Sequence, residues 1–263
     1  MATVDAELLA VVERSPKATS AHDRAGWVGL FTADGRVEDP YGSQPHAGYD
    51  EIGRFYDTFI APRQIIFHRD VDISVDLTVI RDLMLEIIMA PGVTLNVPMH
   101  LRYDVRESVG DFAIERLRAY WELPTMMVPM LRHGRAAIPP SLRLIRALLR
   151  NQGVAGAAGY MRALKRPGRR ARRCAETLLD AATVGDEMSS RRSMTAGASI
   201  SLGEQRSLSM GEFIGRVRGG RWFKLIATGD TVTASVETAT GRGVVFCEMD
   251  RATGKIARIR YFA

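Results

Sequence analysis

Three short stretches of this 263-residue chain recur, in the same order, near its C-terminal end. Glu212-Phe-Ile-Gly-Arg-Val217 echoes Asp50-Glu-Ile-Gly-Arg-Phe55, and Ile256-Ala-Arg-Ile-Arg260 echoes Ile114-Glu-Arg-Leu-Arg118. Ahead of both, Thr195-Ala-Gly197 echoes Thr32-Ala-Asp34. Self-similarity of this kind means that one folding unit is used twice. The two isoleucines that open the matched helix and the matched last strand lie 62 residues apart in the first copy and 42 in the second. The second copy is therefore expected to lack about one hairpin. The organisation predicted is a first unit over 1–122, an insert over 123–175 and a shorter, degenerate second unit over 176–263.

Within the first copy, Val4, Leu8, Val11 and Val12 fall at helical spacing, and the helix is expected to end near Ser15-Pro16. A second helix, capped by Asp23, should run through Trp27 and Leu30 to Phe31. After a short third helix, apolar and polar residues alternate at strand spacing in Ile65–Phe67, Val71–Val75, Leu77–Met89, Val93–Val97, Leu101–Val105 and Ala113–Trp121, with Ala90-Pro91-Gly92 a turn. Helices followed by a run of antiparallel strands make an α+β fold.

Residues 37–56 read V-E-D-P-Y-G-S-Q-P-H-A-G-Y-D-E-I-G-R-F-Y. Asp39 stands directly before a proline, which fixes the backbone beside it. Gly42, Pro45 and Gly48 shape a compact loop, and a helix starting near Tyr49 carries Ile52, Phe55 and Tyr56 on one face. One acid is thus held rigidly next to aromatic residues. Counting back 13 residues from Ile214, as from Ile52 to Asp39, reaches Ser201, with Leu202 beside it. The second copy has no acid there.

This loop, with I-x-x-F-Y behind it and Ala119-Tyr120-Trp121 at the end of the last strand, resembles ketosteroid isomerases and SnoaL-like proteins of the nuclear transport factor 2-like superfamily. The resemblance covers about residues 4–122. It implies a curved antiparallel sheet wrapped by helices into a cone with an apolar pocket, and it implies that Asp39 is a general base. Two such units in one chain would form a pseudo-dimer, as this superfamily commonly forms dimers. Tyr56, Trp121 and Phe55 are expected to line the pocket. The family's two oxyanion donors, a tyrosine and a protonated aspartate, fall at Ser15 and Met99, and neither residue can replace them. Removing one such donor typically costs roughly 10²–10³ in rate, so efficient ketosteroid isomerisation is not expected. His100 is adjacent to Met99 but points to the other face of a regular strand.

The insert is the most unusual stretch. From Leu123 to Ala175 there are 12 arginines and lysines and no acid, leaving 24 basic and 30 acidic residues elsewhere. It holds the apolar run Met126-Met127-Val128-Pro129-Met130-Leu131 and a helix over Ser141–Asn151 with Leu142, Ile145, Leu148 and Leu149 on one face. Glycines 153, 156 and 159 are spaced for close helix contact. The cluster Arg162, Lys165, Arg166, Arg169, Arg170, Arg172 and Arg173 follows. Basic amphipathic helices suit anionic lipid surfaces, and Arg169, Arg170, Arg172 and Arg173 are the candidate anion-binding residues. A linker whose arginines pair with the acidic remainder is the alternative. With one tyrosine as its only aromatic residue, the segment is poorly equipped to stack on nucleic-acid bases.

No apolar run is long enough for a membrane-spanning helix, and the N-terminus lacks a basic signal-peptide start. Cys174 and Cys247 make no disulfide framework and fit a reducing cytoplasm, with peripheral membrane contact through the insert. The five histidines are scattered, so neither a metal site nor a cofactor is expected. The partner expected is a hydrophobic, steroid- or polyketide-like molecule, bound by a monomer with an internal pseudo-dimer or by a homodimer. Three functions stay open: proton transfer by Asp39, ligand carriage without catalysis, and a membrane-surface scaffold.

Overall fold

The computed structural model describes residues 2–108, 110–123, 138–161 and 167–263. The chain divides into two compact units, the first within residues 1–164 and the second mainly within 165–263. The run 126–131 and residues 162, 165 and 166 of the basic cluster lie outside the described residues.

In the first unit, helix α1 spans Ala2–Ser20 and passes through Pro16 rather than stopping there. Proline removes one helical hydrogen bond, but Leu8, Val11, Val12, Ser15 and Thr19 all bury along one face, and that packing outweighs the lost bond. Helix α2 is short, Arg24–Val28, with the Asp23 side chain accepting from Gly26 N at its start. It ends before Gly29, and Phe31 opens a strand instead of closing the helix.

That strand, β1 (Phe31–Glu38), is followed by β2 (His46–Ala47), helix α3 (Gly48–Phe55) and a π-helical turn over Tyr56–Ile60. Then come β3 (Gln64–Val75), β4 (Thr78–Ala90), β5 (Val93–Ser108) and β6 (Asp111–Tyr120). Four of the expected short strands fuse into two long ones, because the polar residues between them keep the alternation instead of breaking it. Pro98 interrupts nothing: it pairs with Met84 of β4, and β5 meets β6 only from His100 onward. The proline therefore sits where the strand has one neighbour, as edge prolines do.

The sheet order is β2-β1-β6-β5-β4-β3. β1 with β2, β4 with β5 and β5 with β6 pair antiparallel, whereas β1 with β6 is parallel. Val97, Met99, Leu101, Tyr103 and Val105 alternate along the inner face of β5 and join Leu8, Val11, Trp27 and Phe55 in one core. Helix α4, Ile138–Met161, belongs to this unit and comes from the basic insert. Gly153 (φ 67°, ψ −177°) breaks its regularity, so the expected ladder of glycines 153, 156 and 159 is not a continuous helical face.

The second unit repeats the scheme element by element. Helix α5 (Arg169–Val184) stands for α1, and α6 (Glu187–Arg192), capped by Asp186, stands for α2. Strands β7 (Met194–Leu202) and β8 (Arg206–Ser207) precede helix α7 (Met210–Val217), which starts with a Ser209–Glu212 capping box. Strands β9 (Arg221–Thr228), β10 (Thr231–Thr238), β11 (Gly241–Met249) and β12 (Ile256–Phe262) complete a sheet of order β8-β7-β12-β11-β10-β9. The fold is therefore α+β with one topology used twice. A boundary at residue 176 cuts through α5, whose Ala171 and Ala175 already belong to the second core. No hairpin is missing from the second copy. Its strands β9 to β12 have 8, 8, 9 and 7 residues where β3 to β6 have 12, 13, 16 and 10, so the shortening is spread over the meander.

Candidate functional site

Because β1 and β6 run parallel, both finish at the same edge of the sheet, with Glu38 opposite Arg118. Asp39 follows β1 and Trp121 follows β6, so the topology brings together two residues that the sequence holds far apart. Trp121 Nε1 donates to Asp39 Oδ1 at 2.6 Å, the one hydrogen bond the carboxylate accepts among the described residues. The loop beyond is pinned by Tyr41 N donating to Ala119 O (2.7 Å) and by the Tyr41 ring stacking on Tyr120 (4.6 Å). Gly42, at φ 89°, makes the turn that only glycine adopts freely.

Asp39 walls a cavity of about 80 Å³. Phe55, Phe59 and Ile60 close one side, Leu85, Ile87, Val97 and Met99 the sheet side, and Leu144 of α4 completes the lining. Burial in these apolar surroundings pushes the Asp39 carboxyl up to about 6, and the indole hydrogen bond pulls only partly the other way. At neutral pH the group is ionised but poorly solvated, the state that suits a general base.

The residues expected here divide cleanly. Asp39, Trp121, Phe55 and Met99 all face the cavity. Tyr56 does not line it. The π-helical turn that begins at Tyr56 widens the helix, so the cavity sees residues 55, 59 and 60, while the Tyr56 ring packs on Trp27 with centroids 5.6 Å apart. Ser15 also lies elsewhere: it is buried on α1, and its Oγ accepts from Trp27 Nε1 at 3.1 Å. His100 faces the opposite side of β5, 3.7 Å from Asp82.

Two lining residues had no sequence motif. Arg63 reaches the cavity wall with Nη1 donating to Thr58 O (3.1 Å) and Nε to Met89 Sδ (3.2 Å). Leu144 arrives from the insert, where its i, i+4 spacing with buried Leu148 was the only available signal. Asn151 Nδ2 donates to Thr58 Oγ1 at 3.1 Å and fastens the same helix to the π-helical turn. The arginines expected to bind anions stand on α5. Arg169, Arg170 and Arg173 are exposed, whereas Arg172 pairs with Glu176 (3.4 Å). Among the described residues, no group of three or more histidine, cysteine, aspartate or glutamate side chains is placed to hold a metal ion, and no helix is long and apolar enough to cross a membrane.

Residues 7–123 match the family model of the Nuclear transport factor 2 (NTF2) domain. That match spans most of the first unit and under half of the chain. Solved structures similar to this chain each cover about half of it. A Mycobacterium tuberculosis protein in complex with estradiol-17beta-hemisuccinate is 27% identical, over 45% of this chain and 96% of its own, with a TM-score of 0.42. Delta 5-3-ketosteroid isomerase from Mycobacterium sp. is 26% identical, over 46% of this chain and 96% of its own, with a TM-score of 0.42. An epoxide hydrolase of the LEH-like type from M. tuberculosis is 16% identical, over 51% and 97%, with a TM-score of 0.43.

Proposed function

We propose that the NTF2 domain binds an apolar, polyketide- or steroid-like molecule in the Asp39 cavity and that Asp39 moves a proton on it. The carrying observation is a carboxylate at about pKa 6, in an apolar wall, with a single indole donor. A base in this state can abstract a proton from carbon, but the charge then left on the substrate oxygen needs a partner. Met99 and Ser15 supply none, Trp121 is engaged with Asp39, and Arg63 is engaged with carbonyl oxygens. Among the described residues Arg63 is the cation of the cavity wall, and its Nε and Nη1 are already engaged, so a substrate that spreads the charge itself suits the site. This favours a C–H flanked by two carbonyl groups, as in polyketide-like compounds, over the simple ketone of a steroid.

The cavity also bears on the ligand. Sites for drug-sized ligands typically measure about 300–1,000 Å³, several times the present space. A polycyclic ligand therefore requires Leu144 to withdraw from the lining. Hydrogen–deuterium exchange at the acidic carbon of an apolar 1,3-dicarbonyl probe, followed by NMR, tests the reading. Exchange above the buffer rate that disappears in Asp39→Asn is expected, with a Δ5-3-ketosteroid turning over only slowly. Retained binding with no exchange above buffer would make the domain a carrier instead.

A further inference from the structure

Helix α4 has a second face that the cavity does not use. At about 100° per residue, Leu144, Ala147, Leu148 and Asn151 fall on one side and turn toward the domain. There Leu144 lines the cavity, Leu148 is buried and Asn151 bonds Thr58. Leu142, Ile145 and Leu149 fall within an arc of about 60° on the other side. These three are 47%, 53% and 49% exposed, an unusual outlay of large aliphatic side chains on one helix. Arg143, Arg146 and Arg150 border that stripe along one flank, all exposed and without an ion pair among the described residues.

We propose that this outer face of α4 docks on an anionic phospholipid bilayer. The charge pattern decides the occupant. An aliphatic stripe edged by arginines matches the boundary between acyl chains and acidic headgroups, where such a helix lies in the plane of the surface. No acid occurs between residues 123 and 175. The stripe also lacks the tryptophan, tyrosine or phenylalanine anchors that dominate protein–protein contacts. The surface is independent of what the cavity binds, yet the two share a helix. Docking through Leu142, Ile145 and Leu149 sets the Leu144 wall of the cavity one helix diameter from the membrane, where apolar molecules concentrate.

Co-sedimentation of the full-length protein with unilamellar vesicles tests this directly. Binding is expected to vesicles containing phosphatidylglycerol, not to phosphatidylcholine alone, and to weaken with salt. Replacing Arg143, Arg146 and Arg150 together by glutamine should weaken partitioning on the order of 10²-fold at low salt. The variant Leu142→Ser with Ile145→Ser and Leu149→Ser should lower binding at every salt concentration. All six side chains are exposed, so an unchanged circular dichroism spectrum and melting curve should accompany both results. Three outcomes overturn the proposal: no binding to anionic vesicles at low salt, binding unchanged in both variants, or loss confined to a variant neutralising Arg169, Arg170 and Arg173. Asp39→Asn should bind vesicles as the natural protein does, so failure of the proton-transfer reading leaves this result intact.

Discussion

At matching positions the two units fill their sheets differently. In the first, Ala119 of β6 lies opposite Leu101, and Met99 stands at the next inward position of β5. In the second, Tyr261 of β12 lies opposite Val245, and the position matching Met99 is Gly243. A Cβ added at Gly243 would sit 2.6 Å from Tyr261 Cε2, so the tyrosine ring occupies the space a side chain there would need. Tyr261 is buried and packs edge-on against Phe213 at 5.9 Å. Strand register also refines the comparison of the acid: Glu38 pairs with Arg118 as Ser201 pairs with Arg260, which makes Leu202 the counterpart of Asp39. One topology thus carries a small residue, an acid and a cavity in one copy, and a large ring and a leucine in the other. The sheet order survives both fillings, so the topology does not depend on an acid at the end of its first strand or on a small residue at position 119.

The largest expected effect comes from erasing the acid. Asp39→Asn should lower proton exchange on a dicarbonyl probe by about 10²–10⁴, the usual contribution of a general base, measured by NMR under saturating probe. Next is imposing the second unit's filling on the first. Met99→Gly combined with Ala119→Tyr should weaken binding of an apolar fluorescent probe by at least about tenfold, since a buried ring takes the place of ligand surface. Unchanged affinity would mean that Tyr261 is not what separates the copies.

A third test concerns pH. The folded Asp39 sits at about 6 against an ordinary 3.8, so the unfolded chain ionises it first. Its ionisation therefore costs stability progressively as pH rises from about 4 to 6, and the cost is complete above that range. Asp39→Asn, which keeps an acceptor for Trp121, should raise stability by about 1–3 kcal/mol at pH 7 and by little at pH 4, measured by urea unfolding at both. Smaller still is Asn151→Ala, which should cost roughly 0.5–1.5 kcal/mol through one lost hydrogen bond. It should speed probe entry if α4 gates the cavity, a change visible in stopped-flow binding.

Much of this was legible in the residues themselves. The repeat announced two units of one topology because the I-G-R and I-x-R-x-R patterns set a buried isoleucine at the same place in each copy, Ile52 and Ile114 in one and Ile214 and Ile256 in the other. The D-P loop announced the acid, because proline and glycine leave a backbone imprint that composition does not blur. Tyr56 was misplaced because its neighbour Phe55 takes the cavity face, and one residue further along the helix the side chain turns to Trp27 instead. Pro16 misled because a proline is a local fact, while the apolar face of α1 is satisfied only by the rest of the core. Leu144 was invisible as a cavity residue because its partners, from Trp121 back to Asp39, lie far outside its own helix, at separations that periodicity cannot reach.

The parallel pairing of β1 with β6 has a further consequence, in time rather than in space. Asp39 and its indole donor are 82 residues apart, and every strand of the meander lies between them. Until the last strand docks, Asp39 is an ordinary hydrated carboxylate on an unfinished edge. The raised pKa is therefore a property that appears only when the whole sheet exists, and a chain still emerging from the ribosome lacks it. Trp121, whose emission should change as its N–H meets the carboxylate, is a natural clock for that moment of completion.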